Sequence, residues 1–551
     1  MDHVPLWILC IENLAVSLLL MATVFALVGR FRQRWMGFVI WIPLVIFIFS
    51  GYLGMTINAS NIQSYLLHDS ILVYYALALT VVYLIGVIWL WAAGVKRKRN
   101  NPAVPGATWP LGKLILVFVL ALGLHLMTIW LLDYQGREKQ AVLRIEASIL
   151  GLSVAPPRVP DIDNAAFLYE QAGRIIETAT EKLPREPAEN GDEGEIAWYK
   201  WFDLIDKDMF DPKDPELVQF LQQQAGTIAL IHEATKKPGC YFKHEYHKPS
   251  FAESLPEMLS SRHISGLLAL DARWKTANGD LHEAMEDVNA MFVLARRLGD
   301  EPFEIQMLVA SSVEWKAIKT LQTILASREL KLHDLDIVKL DGNSSYQKLM
   351  QQALRFKEAT QLNILSEIGE IWNYSNLNSD AKNRMQVNSF VFRIFFLNYE
   401  VQYLKWYSKN LEHLASQPYY QSKDNWHELT KIIDDNPKSV IVAIYSPGLN
   451  SKIQVTVRAD AQHRLVEIAL AMCRYRAKNG RYPEKLDDLI PDFIALVPLD
   501  PFDGKPIRLK YSDDKLVIYS VGPDGIDDGG ATFDAQTQKG DITFELPNKK
   551  D

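Results

Sequence analysis

Two short stretches hold residue types that do chemistry. Cys240-Tyr241-Phe242-Lys243-His244-Glu245-Tyr246-His247 places a thiol and two imidazoles in one run. Thiolate and imidazole are zinc ligands. The order Cys240, His244, His247 fits no standard zinc motif, and only His232 and His263 could add an imidazole nearby. Ordinary packing residues are therefore the favoured reading of that run. The second stretch is Asp524-Gly525-Ile526-Asp527-Asp528-Gly529-Gly530. Calcium takes about six to eight oxygen ligands from carboxylates, carbonyls and water. Asp524, Asp527 and Asp528 could supply three of them on a backbone that glycine lets curl. A plain Asx-rich turn without metal competes with that assignment, and the spacing is not that of an EF-hand.

No further motif names a reaction. The chain has no phosphate-binding glycine loop, no His-Glu-x-x-His, no Gly-x-Ser-x-Gly and no dinucleotide fingerprint. Carboxylates are spread throughout, so no acid/base couple stands out. The chain holds 58 basic and 66 acidic side chains, a net charge of -8, and the acidic excess lies in residues 134–551. Nucleic acid is not an expected partner for such a domain. Three cysteines, Cys10, Cys240 and Cys473, make no disulfide framework, and unpaired thiols are expected over a Cys240–Cys473 bridge.

The elements that would carry these residues divide sharply. Four apolar runs, 6–28, 36–57, 71–94 and 111–132, crowd the first 133 residues. Each has roughly the 20 residues that a membrane-crossing helix needs. Basic loops at 30–34 and 96–99 place the intervening turns in the cytoplasm, with both termini and the large domain outside. Residues 1–133 are thus expected to form a four-helix transmembrane bundle in the lipid bilayer of a bacterial inner membrane. Glu12 in the first run and His125 in the fourth are read as polar contacts between helices rather than as a relay.

Beyond it the expectation is mainly α. Residues 134–160 read as an amphipathic helix and a Pro-rich linker, 161–452 as a helical scaffold, and 453–551 as a small α+β module. Helices are predicted over 161–180, 262–277, 281–298, 303–326, 346–372 and within the aromatic-rich 390–414. Gly279-Asp280 and Gly299-Asp300 read alike, each as a C-terminal glycine followed by an N-cap aspartate. In the last module, 454–457 is predicted as a strand, 460–478 as a helix, and 507–511 with 516–520 as a hairpin.

Two resemblances follow. The run from Ala269 through Asn278-Gly279-Asp280 to Ala284 resembles one tetratricopeptide-type helix pair. From Asn479-Gly480-Arg481-Tyr482-Pro483 through Pro498-Leu499-Asp500-Pro501-Phe502 to Ser520-Val521-Gly522-Pro523-Asp524-Gly525, the order resembles the globular head of type II secretion major pseudopilins. That resemblance implies calcium at Asp524, Asp527 and Asp528, and a link to secretion or envelope assembly. The chain lacks the prepilin cleavage site, so polymerisation is not implied. As a whole it resembles uncharacterised bacterial membrane proteins. The function expected is a membrane-anchored, extracytoplasmic scaffold that binds other membrane or periplasmic proteins. The alternative is a periplasmic hydrolase with its site between helical domain and C-terminal module.

Overall fold

The computed structural model describes residues 111–183, 210–327, 330–340, 346–368, 396–435, 438–512, 514–534 and 539–548, with Lys96, Arg99, Asn100, Trp201, Arg393 and Thr537 besides. The chain divides into two compact units, 1–143 with 365–403 and 436–443, and the remainder.

The first unit corrects the membrane expectation. The runs 6–28, 36–57 and 71–94, with Glu12, lie outside the described residues. The run 111–132 is the first half of a single helix, α1 (Leu111–Ser153). Among the described residues no helix is long and apolar enough to cross a membrane. The four-helix transmembrane bundle, the multi-pass inner-membrane localisation and the extracytoplasmic termini are therefore withdrawn. An apolar run is only a candidate span, and α1 carries its run onward into a polar, packed segment. There Asp133 accepts hydrogen bonds from Arg137 (2.8 Å) and Arg393 (2.7 Å). Gln140 donates to the carbonyls of Leu365 and Ile368, each at 3.1 Å. Also within this unit, Glu400 is buried and accepts from Ser439 Oγ at 2.5 Å.

The second unit is a stack of helices with a small sheet. Its helices are α2 (Ala166–Thr180), α3 (Pro215–Lys236), α4 (Pro256–Asn278), α5 (Leu281–Gly299), α6 (Glu304–Ser327) and α7 (Leu332–Leu335). Then come α8 (Tyr346–Glu367), α9 (Leu397–Ala415), α10 (Tyr419–Asp435), α11 (Val440–Tyr445) and α12 (Leu449–Asn479), some of whose residues belong to the first unit. Helix α4 packs on α2, α5 and α6, and α12 lies against α6.

Local chemistry sets the boundaries of α4. Pro256 opens it, where a missing N–H costs nothing. Gly279 closes it with φ 93°, and the Gly279 and Asp280 amides donate back to Thr276 (3.2 Å) and Lys275 (2.9 Å). That is the left-handed closure only glycine adopts at little cost. The following Asp280 makes no side-chain cap. Gly299 differs from its predicted twin. It lies inside α5, and a Cβ built on it would sit 2.9 Å from Leu349 Cδ1. It is glycine because of a close approach, and α6 starts only at Glu304.

Residues 454–457, expected as a strand, belong to α12. Thr456 satisfies its hydroxyl on the Lys452 carbonyl one turn back at 2.8 Å, as a β-branched residue can within a helix. Strands β1 (Arg508–Tyr511), β2 (Lys515–Ser520) and β3 (Ile542–Pro547) form an antiparallel sheet in the order β1-β2-β3. The third strand was not expected. It alternates, with Ile542, Phe544 and Leu546 buried, and packs with β2 against α12. Asp500 locks this module. Fully buried, it accepts from Phe502 N (2.9 Å), Ser520 Oγ (2.9 Å), Val521 N (2.8 Å) and Arg508 Nη1 (3.2 Å).

Candidate functional site

A cleft of about 280 Å³ opens between α5, α6, α8 and α12. Its apolar wall comes from Phe292, Val293, Ala295, Ala310, Leu340 and Leu349, and its polar wall from Arg296, Asp300, Glu314, Lys339, Lys348, Gln352 and His463. A small number of convergent polar groups on an apolar wall is the usual make-up of a ligand site. The close helix approach at Gly299 brings Leu349, part of that wall, against α5. A larger hollow of about 500 Å³ runs open along α2, by Phe167, Arg174, Ile175 and Lys182, and carries no carboxylate or imidazole.

Glu314 and His463 are the unusual members. Both are buried, 7% and 8% exposed. Each stands in an apolar helical stripe: Ala310, Glu314, Ala317, Leu321 on α6, and Ala459, His463, Val466, Leu470 on α12. A buried charge costs stability unless partnered, and these two partner one another. His463 Nδ1 lies 2.6 Å from Glu314 Oε1. His463 Nε2 is buried without a hydrogen-bond partner. Burial disfavours the imidazolium, yet the bond to Glu314 and the nearby carboxylates of Glu314, Asp460 and Glu467 outweigh it, so the imidazole's pKa is raised above the ordinary value. His463 thus carries a proton more readily than a free histidine, with one N–H unspent. The lining holds four basic groups, Arg296, Lys339, Lys348 and His463, against the carboxylates of Asp300 and Glu314.

The predicted chemical stretches fall elsewhere. His244 turns its nitrogens to Glu257 (Nε2, 3.0 Å) and Glu253 (Nδ1, 3.4 Å). Glu257 also accepts from the Gln306 amide, and Tyr246 donates its hydroxyl to Glu301. Burial lifts the Glu301 carboxyl to about 7 and the Cys240 thiol to about 12. Cys240 and Cys473 are free thiols, and His247 is exposed. Cys240, His244 and His247 do not bring their ligand atoms together; among the described residues only His282, His333 and Asp334 do.

The acidic loop is closed by its own backbone. Asp524 Oδ1 accepts from Ile526 N (3.1 Å), and Asp527 Oδ1 from Gly529 N (3.0 Å). The other Asp527 oxygen takes Arg508 Nε at 3.0 Å. Asp541, buried, gathers the amides of Asp528 (3.4 Å) and Gly530 (2.6 Å). Calcium at Asp524, Asp527 and Asp528 would compete with Arg508 for one oxygen of Asp527.

No family model matches the chain, and no curated protein or solved structure is similar enough to it to carry an inference. The His463–Glu314 pair was missed in the sequence because the partners are 149 positions apart. The signal that could have found it is a titratable residue standing in an otherwise apolar stripe.

Proposed function

We propose that this chain is a helical interaction scaffold whose cleft at His463 receives an acidic group of its ligand. The observation that carries this is the unpartnered Nε2 of a buried imidazole that favours its protonated form, in a cleft whose lining holds four basic groups against two carboxylates. A carboxylate entering the cleft would complete that hydrogen-bonding capacity, and a charge-assisted bond of this kind contributes about 1.5–3 kcal/mol. The sign of the pH dependence follows. The imidazolium exists below its raised pKa, so binding is strong on the acid side and is lost as pH rises through that pKa.

Titration of the full chain with hexaglutamate and hexaglutamine peptides tests this. The acidic peptide should bind more tightly at about pH 6 than at about pH 8.5. His463→Gln should weaken it by about tenfold and flatten the pH dependence. Equal affinity for both peptides, or for wild type and variant, rejects the assignment.

One observation favours a hydrolase instead. An imidazole held at Nδ1 by a carboxylate is the arrangement of a general base. A base must be neutral, so hydrolysis would rise through the same pKa, opposite in sign to acid-side binding. Turnover of p-nitrophenyl acetate that climbs with pH and vanishes in His463→Gln would select that alternative.

A further inference from the structure

We propose that His282, His333 and Asp334 form a binding site for a divalent transition-metal ion of the zinc class. The site lies where the first turn of α5 meets the short α7, away from the His463 cleft, and does not depend on it. His282 Nδ1 is 3.2 Å from Asp334 Oδ1, and His333 Nε2 is 3.1 Å from the same oxygen. The ligand atoms of all three residues lie within 4.8 Å of one another. Two ligands about 2.1 Å from one metal ion sit roughly 3.0 Å apart at a right angle and roughly 3.4 Å apart at the tetrahedral angle. The two nitrogen–oxygen separations are therefore already edges of a coordination polyhedron.

The carboxylate is preset. Asp334 is buried, and its other oxygen accepts the Lys331 amide at 3.3 Å. A backbone donor on the remote oxygen is the kind of contact that orients a ligating carboxylate. The imidazoles are exposed, 51% and 64% by side chain, with ring centroids 6.0 Å apart. Small side-chain rotations can bring their nitrogens onto one ion. Exposure also leaves coordination positions for water or an exogenous ligand, unlike a closed structural zinc site. Two nitrogen donors and one oxygen select zinc and its first-row neighbours over calcium or magnesium, which want oxygen throughout.

The test uses the full chain, stripped with EDTA, loaded with zinc sulfate and passed through a desalting column. Retained zinc and the melting temperature are read for wild type, for His282→Ala/His333→Ala and for Asp334→Asn. The chain's other histidines bind zinc adventitiously in every sample, so the difference between samples is the measure. Wild type should retain one more zinc per chain than the double variant and gain a zinc-dependent rise in melting temperature that the variant lacks. Both histidines are exposed, so the double variant should melt like wild type without metal. Equal zinc retention in wild type and double variant overturns the site. So does a loss confined to Asp334→Asn, which would report the disturbed turn at Lys331 rather than coordination.

Discussion

Among its described residues the second unit contains two buried histidine–glutamate pairs, and they are built to different ends. His244 spends both ring nitrogens, on Glu257 and Glu253, while Glu257 is held in turn by Gln306. The rings of Tyr246 and Phe303 pack edge-on against it. His463 spends one nitrogen, on Glu314, and keeps the other buried and unpartnered, in a residue that lines a cleft. In both, burial works against the imidazolium and the carboxylates overcome it. A raised histidine pKa is thus shared and identifies nothing by itself. Unspent hydrogen-bonding capacity next to open space separates a site from a packing solution.

The largest expected effect breaks the closed pair. Glu257→Ala removes the partner of His244 Nε2 and of Gln306 and leaves both polar groups buried. Breaking one side of a buried ion pair costs about 3–5 kcal/mol. Urea unfolding should show that loss in the variant. Glu314→Gln, which keeps an acceptor for His463 Nδ1, should cost clearly less. If the two variants lose equal stability, the distinction between closed and open pairs fails.

Gly299→Ala sharpens the comparison from the cleft side. The added Cβ would meet Leu349 Cδ1 at 2.9 Å, and Leu349 lines the cleft. Because the neighbour is the end of a flexible side chain, the cost should fall near the low end of the roughly 1–3 kcal/mol seen for overpacking. The displaced leucine should change affinity at the His463 cleft and leave the His244 cluster untouched. Full stability with unchanged binding would show that the cleft wall is not set by this approach.

How much of this was legible depends on range. Gly279 was readable because a helix C-terminus is a local event, settled by one left-handed residue and two amides. Gly299-Asp300 offers the same letters, yet its glycine answers to Leu349, half a hundred positions away and invisible to local pattern. The 454–457 run looked strand-like because Val455, Thr456 and Val457 are β-branched, a weak preference that packing against α6 overrides. The apolar run 111–132 has the length of a complete membrane span, whereas its helix continues to Ser153. The acidic loop is a tight turn whose organiser, Asp541, lies past it. For the site, the sequence suggests only a position between the helical domain and the C-terminal module. The identity of its residues needed the fold.

A smaller and broader effect is the pH dependence of stability. Glu301 rises from 4.5 to about 7 on folding, chiefly by burial. Between those values the folded state holds a proton that the unfolded state has released, so stability falls as pH rises. His244 and His463 also have raised folded values. Their contribution is complete below the ordinary histidine pKa and is lost as pH climbs through the folded values. The raised carboxyls of Asp271, to about 6, and Glu358, to about 7, carry the same sign, and the lowered His263 opposes them below the ordinary histidine pKa, so the chain should melt progressively lower from about pH 5 to about pH 8. His463→Gln should remove only its own share of that slope, leaving the part owed to the other groups.

The smallest expected effect concerns the acidic loop, where neither pair of the comparison is involved and the change should be local. Asp527 is half exposed and shares Arg508 with Asp500 and Asp503. An ion pair at such a position contributes at most about 1 kcal/mol, and Arg508 keeps two partners without it. Asp527→Ala should therefore lower the melting temperature of the full chain only slightly. Millimolar calcium should leave wild type nearly unchanged, because a bound ion must compete with Arg508 for Asp527. A calcium-dependent rise in melting temperature, abolished by Asp527→Ala, would reverse this expectation, since only a ligand bound to the folded state stabilises it by mass action. The loop would then be a cation site whose carboxylates rearrange on binding, and Arg508 would be the group that closes it when calcium is low.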